Sequence, residues 1–168
     1  MSRLSAQLPE PRAEANAVAP VFNSLRRLVH SLHNASRDTE RRLGVTGAQL
    51  FVLTQLKATP SISINALAER TMTHQSTVSV VVRRLVRRKL VKKVRAADDA
   101  RRVELTLTAA GTALLRRAPE AMQVRLGRAI EELDETERQV LARGLKKLVH
   151  ALGAEHRITA PMFFESDK

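Results

Sequence analysis

The sequence predicts a mainly α chain that carries one small β-hairpin, an α+β arrangement. Two observations carry this reading. Apolar residues recur at three- and four-residue steps from Val18 to Leu85 and again from Leu114 to Leu152, the spacing of amphipathic helices. Between Val91 and Leu107 the period drops to alternation, the pattern of strands.

Composition narrows the class. At 168 residues the chain is the size of one ordinary domain, long enough to bury roughly two-thirds of its unfolded surface. Hydrophobic residues at 43% and charged residues at 27% indicate a folded chain. Lys and Arg total 29 against 17 Asp and Glu, a net +12, which favours a polyanionic partner, nucleic acid or anionic membrane. The absence of cysteine excludes disulfides, a thiol nucleophile, thiolate-bound zinc and cysteine redox sensing. Without Trp or Tyr, and with only four Phe, an aromatic platform for stacked bases is disfavoured. The longest clean apolar run lies around Leu50–Leu53, far short of a membrane span. Residues 1–12 lack an apolar signal core and carry Pro9 and Pro11, so the expected compartment is the cytoplasm.

Five segments follow. Residues 1–12 read as a flexible N-terminal lead. Residues 13–45 hold a long helix, with Val18, Val21, Phe22, Leu25, Leu28, Val29 and Leu32 on one stripe and Gly44 at its end. Residues 46–108 hold a compound unit. Thr46 and Gln49 have capping-box spacing ahead of Leu50, Phe51, Leu53 and Leu56, and Pro60 stops that helix. Ser63 is placed to cap a short helix over Ile64–Arg70. After the turn Thr71-Met72-Thr73, Thr73 is expected to cap a helix reaching about Arg88. That helix has Val78, Val81, Val82 and Leu85 on one side and His74, Gln75, Thr77, Arg84 and Arg88 on the other. In the strands, Val91 and Val94 alternate with basic residues, and Val103, Leu105 and Leu107 with Glu104, Thr106 and Thr108. Residues 109–153 hold two helical runs. The first is capped by Thr108 and kinked at Pro119, and the second opens on Asp134 and Glu137. Residues 154–168 read as a polar tail except for Met162, Phe163 and Phe164.

Charge is focused. The segment 83–102 holds ten basic residues against two acids, a net +8 of the chain's +12. A short helix, a turn, a second helix and a basic hairpin form a winged helix-turn-helix. In that geometry the second helix enters the major groove and shows its N-terminal residues to base edges. Gln75 suits a bidentate contact to adenine. Thr73, His74, Ser76, Thr77 and Ser79 suit bases or phosphates, Arg83 and Arg84 suit phosphate or guanine, and Val80 shares the helix. The wing brings Arg95, Asp99, Arg101 and Arg102, with an arginine at its tip for a narrow minor groove.

The block from Leu67 to Gly111 resembles the MarR-type (multiple antibiotic resistance regulator) family of winged helix-turn-helix transcription regulators. The residues that carry the resemblance are Leu67-Ala68-Glu69-Arg70, Thr73-His74-Gln75-Ser76-Thr77-Val78-Ser79 and Leu85-Val86-Arg87-Arg88-Lys89-Leu90-Val91. Asp99-Ala100-Arg101-Arg102 and Leu105-Thr106-Leu107-Thr108-Ala109-Ala110-Gly111 complete it. The Asp-x-Arg spacing with Leu-Thr and Gly downstream matches the family's wing, and the flanking helices match in order and length. Lys89 stands where many relatives place Gly. The resemblance implies that Arg101 enters the minor groove and that Asp99 holds it by a charge-assisted hydrogen bond. It also implies an obligate homodimer built on N- and C-terminal dimerisation helices, and a pseudo-palindromic double-stranded DNA operator. Independently, the flanking helices carry more apolar stripe than one small winged unit can cover.

The resemblance further implies a small anionic aromatic effector. Arg26, His30, His33 and Arg37 lie at three- and four-residue spacing. They read either as an anion site or as a basic, solvent-facing helix side. No carboxylate or thiol stands at matching spacing beside the two histidines, so no metal site and no cofactor are expected. The sequence shows no Gly-rich phosphate loop and no Ser/His/Asp constellation, which argues against an enzyme. Two DNA-binding readings remain: a sequence-specific regulator, or a non-specific architectural, nucleoid-associated protein.

Overall fold

Four of the helices start at a short polar side chain, Thr46, Ser63, Thr108 or Asp134, that accepts from a backbone N–H of the first turn. The computed structural model describes residues 17–95 and 103–153. Helix α1 (Val18–Leu43) ends where Gly44 takes φ +68°, a region costly for residues with a Cβ. Helix α2 (Gly47–Ala58) opens on the expected capping box. Thr46 Oγ1 accepts from Gln49 N at 3.2 Å, and Gln49 Oε1 accepts from Thr46 N at 3.3 Å. In α3 (Ile64–Arg70) the Ser63 hydroxyl accepts from Ala66 N at 3.2 Å.

Helix α4 (Gln75–Arg87) departs from expectation at its start. His74 is its N-cap and makes no side-chain cap bond. Thr73, expected to cap it, donates its hydroxyl to Thr71 O at 2.9 Å, and its backbone N–H donates to Ala68 O at 3.0 Å. It is engaged in closing the turn, in which Met72 takes φ +50°.

Strands β1 (Val91–Arg95) and β2 (Val103–Leu107) pair antiparallel, with Val91 opposite Leu107 and Arg95 opposite Val103. Ile62 bridges the other edge of β2, where Leu105 N donates to Ile62 O at 2.8 Å. Val91 and Val94 form no common apolar edge. Three residues apart in a strand, they point to opposite faces, so Val91 is buried and Val94 exposed.

The single kinked run expected over Thr108–Ile130 is two helices, α5 (Ala109–Arg117) and α6 (Met122–Glu131). The residue before a proline is pushed out of the helical region, and Ala118 takes ψ 141°. Helix α7 (Glu135–Ala151) begins with the expected box: Glu137 N donates to Asp134 Oδ1 at 2.8 Å, and Asp134 N to Glu137 Oε2 at 2.9 Å.

The chain divides into two units, residues up to Ser31 and residues from Leu32 onward. In the first, Val18, Val21, Phe22, Leu28 and Val29 of α1 are exposed. In the second, α2 is central and packs on α3, α4, α5, α6 and β2. Leu50, Leu53, Leu56, Leu67, Val78, Val81, Val82, Leu85 and Leu105 are fully buried there. Each such side chain contributes about 1.5–3 kcal/mol. Neither α6 nor α7 buries a residue.

Candidate nucleic-acid interface

Helix α4 divides its residues cleanly. Val78, Val81, Val82 and Leu85 seat it on α2 and α3. His74, Gln75, Ser76, Val80, Arg83 and Arg87 are exposed, and Ser79 and Arg84 half-exposed. The Ser79 hydroxyl donates to Gln75 O at 2.7 Å, which leaves its oxygen free to accept. Two predicted recognition residues stand apart. Thr73 is half-buried in the turn. Thr77 is only 8% exposed. It lies four residues before Val81 and shares the inward stripe, which corrects its placement on the outer side.

The hairpin continues the basic surface, with Lys92, Lys93 and Arg95 exposed on β1. Asp99, Arg101 and Arg102 lie outside the described residues. Lys89, between α4 and β1, takes φ +57°, so the left-handed turn into the hairpin is made here by a lysine. The hairpin root is fixed to the start of α5. Thr108 Oγ1 donates to Lys89 O at 2.7 Å and accepts from Gly111 N at 3.1 Å. A Cβ on Gly111 would collide with Leu90 O, so glycine is required by close approach.

Two features were not foreseen from sequence. Met72, in the turn before α4, is 90% exposed; its only signal was a bulky residue between two threonines. Arg88, which sequence placed on the outer side of α4, turns instead to the α1–α2 corner. Its guanidinium donates to Gly44 O and lies 3.5 Å from Gln49 Oε1.

A separate cavity of about 230 Å³ lies in the second unit. Its polar wall is formed by Ser36, Asp38, Thr39, Glu120, Gln123 and Arg125. Ser36 Oγ accepts from Gly47 N at 3.1 Å, and Gln123 Oε1 is buried with no hydrogen-bond partner among the described residues. Hydrogen bonds from Arg41 hold the Asp38 carboxyl below its ordinary range, with Arg42 adding to the effect. None of Arg26, His30, His33 and Arg37 lines this cavity. Arg26 lies 5.7 Å from the centroid of the Phe22 ring, within cation–π range. Arg37 lines an open groove with Asn34, Asp38, Glu40 and Arg41. Among the described residues no three His, Asp or Glu side chains gather as a metal site. No helix there is long and apolar enough to cross a membrane.

Residues 43–102, spanning α2 to the hairpin, match the family model described as MarR family. HTH-type transcriptional repressor MdtR of Bacillus subtilis (strain 168) is 28% identical over 134 residues, which cover 80% of this chain and 86% of that protein. Over residues 43–102 the chain resembles the MarR family. Solved MarR-like structures share its winged helical fold. YusO from Bacillus subtilis is 28% identical with a TM-score of 0.51, covering 79% of this chain and 94% of that one. Bordetella bronchiseptica BpsR, solved to explain regulation of its DNA binding by 6-hydroxynicotinic acid, is 28% identical with a TM-score of 0.52. The match covers 77% of this chain and 98% of BpsR. The S. aureus MepR–DNA complex aligns with a TM-score of 0.54 over 80% of this chain and 96% of that chain. At 24% identity that likeness concerns fold alone.

Proposed function

We propose that this chain is a MarR-family regulator, a homodimeric, sequence-specific DNA-binding transcription factor. It acts in the cytoplasm as a repressor of nearby genes and is released by a small anionic or aromatic ligand. The observation that carries the reading is the division of α4: an apolar side sunk in the core, and a polar and cationic side exposed beside a basic hairpin. Gln75 reads adenine. His74, Ser76 and Ser79 contact bases or phosphates, and Arg83 and Arg84 contact phosphate or guanine. Arg95 and Arg102 flank the minor-groove residue Arg101, which Asp99 orients. The protein works by binding and not by catalysis.

The single chain leaves Val140, Leu141, Leu145, Leu148 and Val149 exposed along α7. A second copy covering that stripe gains about 25 cal/mol per Å² of apolar area removed from water. Two copies on a two-fold axis place their α4 helices to read half-sites about one helical turn apart. For the effector, Arg125 and Gln123 supply polar groups at the cavity; Arg26, His30, His33 and Arg37 are a second candidate set along α1. The repressor name of MdtR and the 6-hydroxynicotinic acid response of BpsR support this reading.

A gel-shift titration tests it, using the gene's own upstream DNA with excess random competitor. A regulator prefers that DNA by orders of magnitude. Equal affinity for random duplexes assigns an architectural role instead. No binding to either in dilute salt rejects both readings.

A further inference from the structure

Counting charge along the sequence makes Arg88 one more cation for the phosphate backbone. Its surroundings point elsewhere. Arg88 is the C-cap of α4, its N–H donating to Arg84 O at 3.1 Å. Its side chain grips the corner between α1 and α2, donating to Gly44 O beside Gln49 Oε1. A Cβ on Gly44 would lie 3.2 Å from a guanidinium nitrogen, so glycine serves that corner both by its positive φ and by the room it leaves. The corner is itself held: the Thr46–Gln49 box closes it on one side, and the Ser36 hydroxyl binds Gly47 N on the other.

We propose that Arg88 is a positioning residue of the DNA interface: it ties the C-terminal end of α4 to the corner at 44–49, fixes the tilt of that helix and makes no phosphate contact. The inference rests on the DNA-binding reading above. Thirteen residues make α4 about 20 Å long. A tilt of about 5° at its C-terminal end therefore moves its first turn by about 1.7 Å, which is enough to break hydrogen bonds between Gln75 and a base edge. One guanidinium nitrogen, Nη1, donates to Gly44 O and lies 3.5 Å from Gln49 Oε1; a lysine carries its ammonium on a stem one bond shorter, as a compact and strongly hydrated charge, and does not place a donor at that point.

The test uses full-length protein and two duplexes, one enriched from a random pool by the wild-type protein and one random. Each is titrated across a salt series with wild type, Arg88→Gln, Arg88→Lys and Arg83→Gln, and the melting temperature of each variant is measured alongside. Arg83→Gln, a phosphate contact, is expected to flatten the salt slope by about 0.9. Arg88→Gln is expected to keep the wild-type slope and to lose about fivefold on the enriched duplex only. Arg88→Lys should behave like Arg88→Gln despite its retained charge. A slope flattened by about 0.9 on both duplexes in Arg88→Gln, restored by lysine, would make Arg88 a phosphate contact and overturn the proposal. An unchanged ratio between enriched and random DNA also overturns it, because the residue then contributes only ordinary stability. If the wild type ignores both duplexes, the DNA-binding reading itself has failed, a result distinct from either variant outcome.

Discussion

Lys89 shows how a side chain can hold a backbone shape it does not favour. An L residue in the left-handed region costs about 1–2 kcal/mol, and Lys89 stays at φ +57° because Thr108 and Leu90 fix the carbonyls around it. Lys89→Gly should relieve that cost, less the extra freedom glycine gives the unfolded chain. The expected result is a gain of about 0.5–1 kcal/mol, read as a higher urea midpoint with an unchanged slope. Burial also separates two neighbours that look alike in sequence. Gln75→Ala should relax base preference at one position per half-site. Thr77→Ala should cost about 1 kcal/mol of stability and leave base preference alone. Binding-site selection beside thermal melts checks both. The sequence showed Thr77 as one more small polar residue near a helix start; only the phase of the buried stripe reveals that it faces inward.

Elements were most legible where capping is local. The boxes at Thr46–Gln49 and Asp134–Glu137, and the caps at Ser63 and Thr108, all formed as spacing predicted, since each needs residues only three apart. Legibility failed where tertiary geometry decides. Thr73 lost its cap role to a turn closed by Ala68 O, and Pro119 broke a helix that was expected only to bend. The hairpin root is equally non-local. Gly111→Ala should cost about 2–3 kcal/mol in urea unfolding, because the new methyl meets the Leu90 carbonyl. In α7, hydrogen bonds from Arg138, and then Gln139, hold the Glu135 carboxyl below its ordinary value of 4.5. A depressed folded-state value contributes stability above about pH 4.5 that is lost as pH falls through the folded-state value. Acidification below about pH 4.5 should therefore loosen the first turn of α7, seen as line shifts of Glu135 and Gln139 in an NMR titration.

At the scale of the molecule, the apolar stripe of the last helix was legible in sequence, but a single chain does not cover it. Val140, Leu141, Leu145, Leu148 and Val149 stay exposed, whereas the winged core closes on itself around α2. On the proposed homodimer, Leu145→Glu should give a monomer in sedimentation velocity where the wild type sediments as a dimer, weaken binding to a two-half-site duplex by more than tenfold, and leave the melting of the core in place. A dimer that survives this change would place the contact between copies elsewhere than on α7.

The Ile62 bridge gives the hairpin a third neighbour. Because Leu105 is paired across both edges and wholly enclosed, its amide proton cannot reach solvent by fraying of the wing alone. In deuterated buffer Leu105 should exchange as slowly as the slowest amides of α2, at the rate of global opening, while amides near Arg95 exchange through small local fluctuations.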